Sequence, residues 1–124
     1  MASRRMFCSE ITESDAFLDM PASAQNLYFH LGMNADDDGV VNNPKSIQRN
    51  LGASVDDLKI LVAKRFIIPI AESEIIVIKH WKINNYIQKD RYKPSKYKKE
   101  LALLELDENN AYKEKEISLL DNPL

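Results

Sequence analysis

Two helix signals separated by a very short turn, with a β-branched run directly after them, place the strongest constraint on the fold of this chain. Asn43 and Pro44 supply an N-cap and a first-turn proline, and Gly52 supplies a C-terminal stop, so a compact helix is predicted between them. Ser54 then begins a capping box with Asp57 at the N3 position and starts another helix. Two short helices joined by so tight a turn are common in all-α folds, and a helix-turn-helix is one of the structures they indicate.

The residues after this pair of helices change to a strand pattern. Phe66 begins a run of β-branched and aromatic residues over 66–70, and a second run covers 75–78. Residues 71–74 separate the two runs and form the predicted turn of a β-hairpin. Pro69 indicates an edge position or a bulge in the first strand. A hairpin directly after a helix-turn-helix favours a winged-helix fold, in which this hairpin is the wing.

The upstream part of the chain adds a helix and a short strand. Apolar residues spaced i, i+3, i+4 and i+7 predict an amphipathic helix over residues 23–33, with Ser23 as its N-cap. Residues 14–18 are predicted to form a short helical turn, and residues 40–41 a short strand. The predicted order is helix, short strand, helix, tight turn, helix and hairpin.

This order of elements predicts a mainly α domain with a small β-hairpin, an α+β fold of the winged helix-turn-helix type. Residues 1–94 are expected to form the winged-helix, DNA-binding domain. Residues 95–124 are expected to hold a C-terminal helix, over 96–106, and a polar, loosely held tail, over 107–124, that suits the start of a linker to a C-terminal region.

Length and composition narrow the class of protein. A chain of 124 residues with 44% hydrophobic and 29% charged residues suits one soluble globular domain. No apolar run approaches the roughly 20 residues that cross a bilayer, and the first residues lack the apolar core of a signal peptide. Cys8 is alone, so neither an internal disulfide nor a cysteine-rich zinc site is expected. We expect a cytoplasmic protein without a membrane partner.

The segment from residue 79 to residue 99, here called the basic segment, reverses the charge of the chain. It carries eight of the 17 Lys and Arg residues and one acid, Asp90, so it has a net charge of +7 while the rest of the chain sums to −9. Four aromatic residues are interleaved with these cations. Such a surface suits a polyanion, because cations displace counterions from phosphates and aromatic rings can stack. A solvated face or a flexible tail is the alternative interpretation.

Catalytic and metal sites are not expected. His30 and His80 are far apart in sequence, and His30 falls beside the buried stripe of its helix, which favours a structural role. Residues 36–39 resemble a calcium loop only in their first positions, because Ile47 stands where the bidentate Glu of an EF-hand belongs. The three glycines are widely separated, so no phosphate-binding glycine-rich loop is present. An enzyme is not expected, and no cofactor is expected.

Two long strings resemble a known family: ESDAFLDMPASAQNLYFHLGMNADDDGVVNNPKSIQRNLGAS and VIKHWKINNYIQKDRYKPSKY. They are similar to the N-terminal domain of phage replisome organiser proteins, the DnaD-like replication initiators of Gram-positive phages and prophages. The resemblance covers residues 4–105. It implies a winged helix that binds double-stranded DNA at the phage origin inside the bacterial host cell. In a full-length protein it also implies recruitment of a helicase or helicase loader.

Three groups of side chains are expected to contact DNA on this interpretation. The first group lies at the start of the predicted helix that begins at Pro44: Asn42, Asn43, Lys45, Gln48 and Arg49. The second group, on the predicted helix that begins after Ser54, is Lys59, Lys64 and Arg65. Asp56 and Asp57 in the first turn of this helix are more typical of N-terminal capping than of base recognition. The third group, in the basic segment, is Lys79, Lys82, Lys89, Arg91, Lys93, Lys96, Lys98 and Lys99 for phosphates, with Asn84 and Asn85 for phosphates or base edges.

Trp81 and Tyr86 are expected to pack on the core rather than on bases, because they alternate with Ile83 and Ile87.

The alternative function is a protein-docking or self-assembly module with little DNA affinity of its own. The acidic first turn of the predicted helix after Ser54 favours this alternative. Its homo-oligomer interface would use apolar residues from both ends of the chain: Met6, Phe7, Ile11, Phe17, Leu101, Leu103, Leu104 and Leu106.

Overall fold

Short helices and antiparallel strands alternate along the chain in a computed structural model, which describes residues 4–70 and 74–115. The helices are α1 (Ser9–Thr12), α2 (Asp15–Leu18), α3 (Ala22–Met33), α4 (Pro44–Asn50), α5 (Val55–Ala63), α6 (Trp81–Asn84) and α7 (Lys98–Leu101). The strands are β1 (Val40–Val41), β2 (Ile67–Pro69), β3 (Ile76–Ile78), β4 (Leu104–Leu106) and β5 (Tyr112–Glu114). The described part of the chain is therefore a small α+β domain.

The strands form two antiparallel sheets. In the first sheet β3 lies between β1 and β2, and Val77 pairs with Val40 on one side and Ile68 on the other. In the second, β4 pairs with β5, with Glu105 opposite Lys113. All three residues of β3 are buried, because this central strand is hydrogen-bonded on both edges and packed against the helices.

One hydrophobic core joins the helices to both sheets. Leu27 and Leu31 of α3 and Leu61 of α5 are fully buried against the first sheet. Leu104 and Tyr112 from the second sheet belong to the same buried cluster. Each fully buried large apolar side chain contributes about 1.5–3 kcal/mol relative to an exposed one, so this cluster is the main source of stability.

The local signals for α2, α4, α5 and β1 predicted the observed elements. α4 ends before Gly52, which has the left-handed φ of 70° that a glycine stop supplies, and α5 begins with the predicted Ser54–Asp57 capping box. The prediction of Ser23 as the N-cap of α3 was wrong: Pro21 holds that position, and the Ser23 hydroxyl donates to Asp57 Oδ1 at 2.9 Å. Asn43 holds the N-cap position of α4 without a side-chain hydrogen bond.

The predicted helix over residues 96–106 was wrong except for the single turn of α7. α7 ends at Leu101, and the chain then forms the β4–β5 hairpin. The Asp107 carboxylate accepts from the amides of Asn109 and Ala111 and closes the hairpin turn, where Asn110 has a φ of 64°. Residues 107–115 are therefore held to the domain rather than loose. The remainder of the predicted tail and most of the predicted 71–74 turn lie outside the described residues.

Candidate nucleic-acid interface

The loop at residues 36–39, here called the triple-aspartate loop, organises the candidate site. Asp36 Oδ1 accepts from the amides of Asp38 and Val40 at 2.9 and 3.0 Å, which folds the loop onto itself. Gly39 has a φ of 87°, and a Cβ at this position would lie 2.5 Å from Cγ of Trp81. The Trp81 indole also donates to the carbonyl of Asp37 at 3.0 Å. Loop and indole are thus packed without space for a side chain at residue 39.

Asp38 attaches the basic segment to this loop. Its carboxylate accepts from the Tyr92 hydroxyl at 2.7 Å and from the Ser95 amide at 2.8 Å, and Lys82 Nζ lies 3.3 Å from Oδ1. Burial raises the pKa of Tyr92 to about 12, and the hydrogen bond to Asp38 adds to this shift because the phenol donates to an anion. The Asp38 carbonyl accepts from the Tyr112 hydroxyl at 2.8 Å, so the C-terminal hairpin is anchored there as well.

Asp37 attaches the N-terminal segment and a second point of the basic segment. Arg5 Nη1 lies 3.1 Å from Oδ1, and the Lys93 amide donates to Oδ2 at 3.0 Å. The Arg5 guanidinium also donates to the carbonyl of Ala35 and lies over the Trp81 ring. The part of the basic segment around residues 92–95 is therefore fixed by the fold.

These contacts give each of the three consecutive aspartates a hydrogen-bond or ion-pair partner within the protein. Protein donors occupy carboxylate oxygens of all three residues. In residues 4–70 and 74–115, no three His, Cys, Asp or Glu side chains are grouped so as to hold a metal ion.

Asn84 and Asn85 hold the N-terminal segment on the domain. Asn84 Oδ1 accepts from the Cys8 amide and Asn85 Oδ1 from the Met6 amide, both at 2.8 Å. Asn84 Nδ2 donates to the hydroxyl of Tyr28 at 3.0 Å, and burial raises the pKa of Tyr28 to about 12. Both asparagines are buried, so the amides predicted to contact phosphates or base edges are not presented on the surface.

The aromatic residues of the basic segment separate into buried and exposed ones. Trp81 is 1% exposed, which confirms its predicted place in the core. Tyr86 is 80% exposed, so the prediction that it packs on the core was wrong. The alternating pattern failed because residues 81–84 form a helical turn, and the buried positions are taken by Asn84 at the end of that turn and by Asn85 after it.

A groove of about 980 Å³ joins two of the predicted DNA-contact groups. Asn42, two residues before α4, donates from Nδ2 to the Tyr97 hydroxyl at 2.9 Å, which connects the approach to that helix to the basic segment. Beside Asn42, the lining includes the exposed predicted residues Arg91, Lys93 and Lys96, together with Asn85, which is only 7% exposed. It also includes Arg4, which was not among the predicted contacts although it stands beside Arg5 in a basic pair.

Six of the eight cations in the basic segment are exposed. They are Lys89, Arg91, Lys93, Lys96, Lys98 and Lys99, and none of them forms an ion pair within the described ranges. Lys79 and Lys82 are half-buried. Burial lowers the pKa of His80, and the charge of Lys79 beside it acts in the same direction, so this imidazole adds no charge near neutral pH.

The other predicted contacts are distributed over α4 and α5. Asn43, Arg49, Lys59, Lys64 and Arg65 are exposed, with Arg65 paired to Glu114 at 3.2 Å. Lys45 lies 3.4 Å from Glu74. Gln48 is buried and donates to the carbonyl of Ala53, and Asp57 is buried in its capping box. His30, expected to be structural, is exposed.

Searches of protein-family models, curated proteins and solved structures gave no match to this chain. None of the helices in the described ranges is long and apolar enough to cross a membrane.

Proposed function

We propose that this chain is a winged helix-turn-helix domain that binds double-stranded DNA, and that its ligand is the replication origin of a phage in the cytoplasm of the bacterial host. In this proposal α4 and α5 are the helix-turn-helix, and β2 and β3 are the strands of the wing. The family resemblance supports a DnaD-like replisome organiser, whose helicase or helicase loader would bind elsewhere in a full-length protein.

The observation that carries the proposal is a group of six exposed cations that form no ion pair with a described residue, on a segment whose backbone is held at residues 93 and 95. A flexible basic tail would lose conformational entropy when it binds DNA. Here Asp37 and Asp38 already hold the backbone at Lys93 and Ser95, so part of this cost is met during folding. The strand order β1-β3-β2, with α4 and α5 between β1 and β2, is compatible with a winged helix and supports the DNA interpretation.

The salt dependence of binding tests this proposal quantitatively. Each neutralised phosphate contributes about −0.9 to the slope of log affinity against log salt, so contacts from all six cations give a slope of about −5. Between roughly 50 and 200 mM salt, the affinity for a duplex is then expected to fall about a thousandfold. Fluorescence anisotropy with a labelled origin duplex measures the slope, and a footprint on the phage genome region measures specificity. A slope near zero contradicts the proposal.

A pair of lysines on α7 gives the matched variant. Changing Lys98 and Lys99 together to Ala is expected to reduce the magnitude of the slope by about 2, with little sequence dependence. Changing Lys113 and Lys115 to Ala removes the same charge from the C-terminal hairpin, where no DNA contact is proposed. A similar loss in both double variants would indicate a general charge effect and would argue against a localised interface.

Self-assembly is a second candidate function, because some of the apolar residues predicted for its interface are exposed. Met6, Leu103 and Leu106 are 53%, 50% and 45% exposed, so apolar surface is available at both ends of the described chain. Phe17 and Leu104, which were assigned to the same interface, are instead buried in the core. Sedimentation equilibrium over a concentration series separates the two functions: assembly without duplex binding at moderate salt favours the docking module.

A further inference from the structure

The groove beside the triple-aspartate loop combines positive charge with an aromatic ring that the fold leaves in solvent. Five of its lining side chains are cationic and two are acidic, so the groove is net positive. The acids are already engaged, because Asp37 is paired with Arg5 and Asp36 accepts from two backbone amides. Arg4, Arg91 and Lys96 are exposed and form no ion pair with any described residue. The groove therefore suits an anionic ligand.

Tyr86 is the second element of the site. Its side chain is 80% exposed and lines the groove, while the residues directly before it are buried and hydrogen-bonded to the N-terminal segment. The ring is consequently displayed from an anchored stretch of backbone rather than from a mobile tail. Ile87 and Tyr97, both half-buried, add apolar and aromatic surface within the same groove.

We propose that this groove binds an unpaired strand of DNA, with Tyr86 stacking on a base and the groove cations contacting the flanking phosphates. A base inside a duplex offers no free face to a tyrosine ring, whereas an unpaired base does, and aromatic rings in positively charged grooves are the usual means of binding single strands. The inference deepens the proposed function, on which it rests for DNA as the ligand of the basic segment. It adds Tyr86 as a contact made only with an unpaired strand, while Arg91, Lys93 and Lys96 serve both forms of DNA.

Substitution of Tyr86 tests the stacking contact directly. Loss of one base-aromatic stack is expected to weaken binding of a labelled thymidine oligomer of about 12 nucleotides by roughly 5- to 150-fold in Tyr86→Ala, as measured by anisotropy. Tyr86→Phe keeps the ring and is expected to bind like the wild type. Leu18→Ala is the matched control, because Leu18 is 55% exposed and lies outside the groove lining. Stacking adds no phosphate contact, so the salt slope of Tyr86→Ala should equal that of the wild type.

A charge variant tests the phosphate contacts in the same groove. Arg91→Ala is expected to lower the magnitude of the salt slope for the oligomer by about 0.7, the value for one phosphate of a single strand. Lys115→Ala removes an exposed cation elsewhere and is expected to leave that slope unchanged.

The outcomes separate this inference from the proposed function. Retained oligomer binding that depends on Tyr86, together with absent duplex binding, supports the inference and contradicts the duplex proposal. Duplex binding with equal oligomer affinity in Tyr86→Ala and wild type overturns the inference alone. Binding of a labelled peptide rich in Asp and Glu, with no affinity for the oligomer, also overturns it and assigns the groove to an acidic protein partner.

Discussion

Replacing Asp38 with Ala is expected to detach the basic segment from the domain. Asp38 is 6% exposed, and its carboxylate accepts from the Tyr92 hydroxyl and the Ser95 amide. Each net hydrogen bond to a charged group contributes about 1.5–3 kcal/mol. The Lys82 ion pair adds at most about 1 kcal/mol, because the side chain of that lysine is one-third exposed.

These contributions do not add in full, because the substitution also removes the cost of burying a charge. The Ser95 amide, in a residue that is 3% exposed, is nevertheless left without its acceptor. Removing one member of a buried charged network typically destabilises a protein by about 3–5 kcal/mol, which is the loss we expect. With an m-value of about 1–3 kcal/mol/M, the urea midpoint should fall by roughly 2 M.

Fluorescence of Trp81, the single tryptophan, reports the transition, because its indole packs against the triple-aspartate loop. Hydrogen exchange at the Ser95 amide reports local release of the basic segment. Asp90→Ala removes an exposed acid from the same segment and is the control, with an expected change below about 0.5 kcal/mol. An unchanged midpoint in Asp38→Ala, together with a Ser95 amide that stays protected, would refute the role assigned to this carboxylate.

Two further predictions concern buried residues: one tests the contact between residue 39 and Trp81, and the other tests the ionisation of Tyr28. Gly39→Ala is expected to cost about 2–4 kcal/mol in urea unfolding, because the methyl group meets the Trp81 ring at a left-handed φ. Gly52→Ala, also at positive φ but in open space, should cost only about 1–2 kcal/mol, and equal losses would argue against the contact with Trp81. Raising the pH above about 10 should lower stability, because Tyr28 has a pKa of about 12 in the folded protein and therefore keeps its proton longer than in the unfolded chain. This contribution is complete below pH 10 and is lost between about pH 10 and 12, and Tyr28→Phe should flatten the decline of the urea midpoint with pH.

Local sequence signals, which act between residues only a few positions apart, predicted much of the fold. Helix α5 was predicted correctly because its capping box joins Ser54 to Asp57 three residues away, and the stop at Gly52 acts through one backbone angle. The central position of β3 follows from pairing with two strands and had no comparable local signal. The C-terminal helix prediction failed for the same reason, because β4 and β5 are held by a tertiary contact from Tyr112 to the Asp38 carbonyl.

The sequence predicted the positive charge of the candidate site but not how its side chains are arranged. Composition alone located the basic segment, and six of its cations are exposed. No sequence pattern indicated that Asn84 and Asn85 would replace Tyr86 as the buried residues, because their partners are backbone amides of residues 6 and 8. Arg4 likewise becomes part of the groove only once those amides are bound.

The contacts of the triple-aspartate loop have a consequence for the order of folding. Asp38 joins residues 54, 57 and 74 positions away in the chain, at Tyr92, Ser95 and Tyr112. Closing such long loops is entropically costly, so these bonds are expected to form after the transition state, when α3 and the first sheet are already packed. Asp38→Ala should then accelerate unfolding and leave the folding rate nearly unchanged. A newly made chain would therefore acquire its ordered basic surface only in the last step of folding.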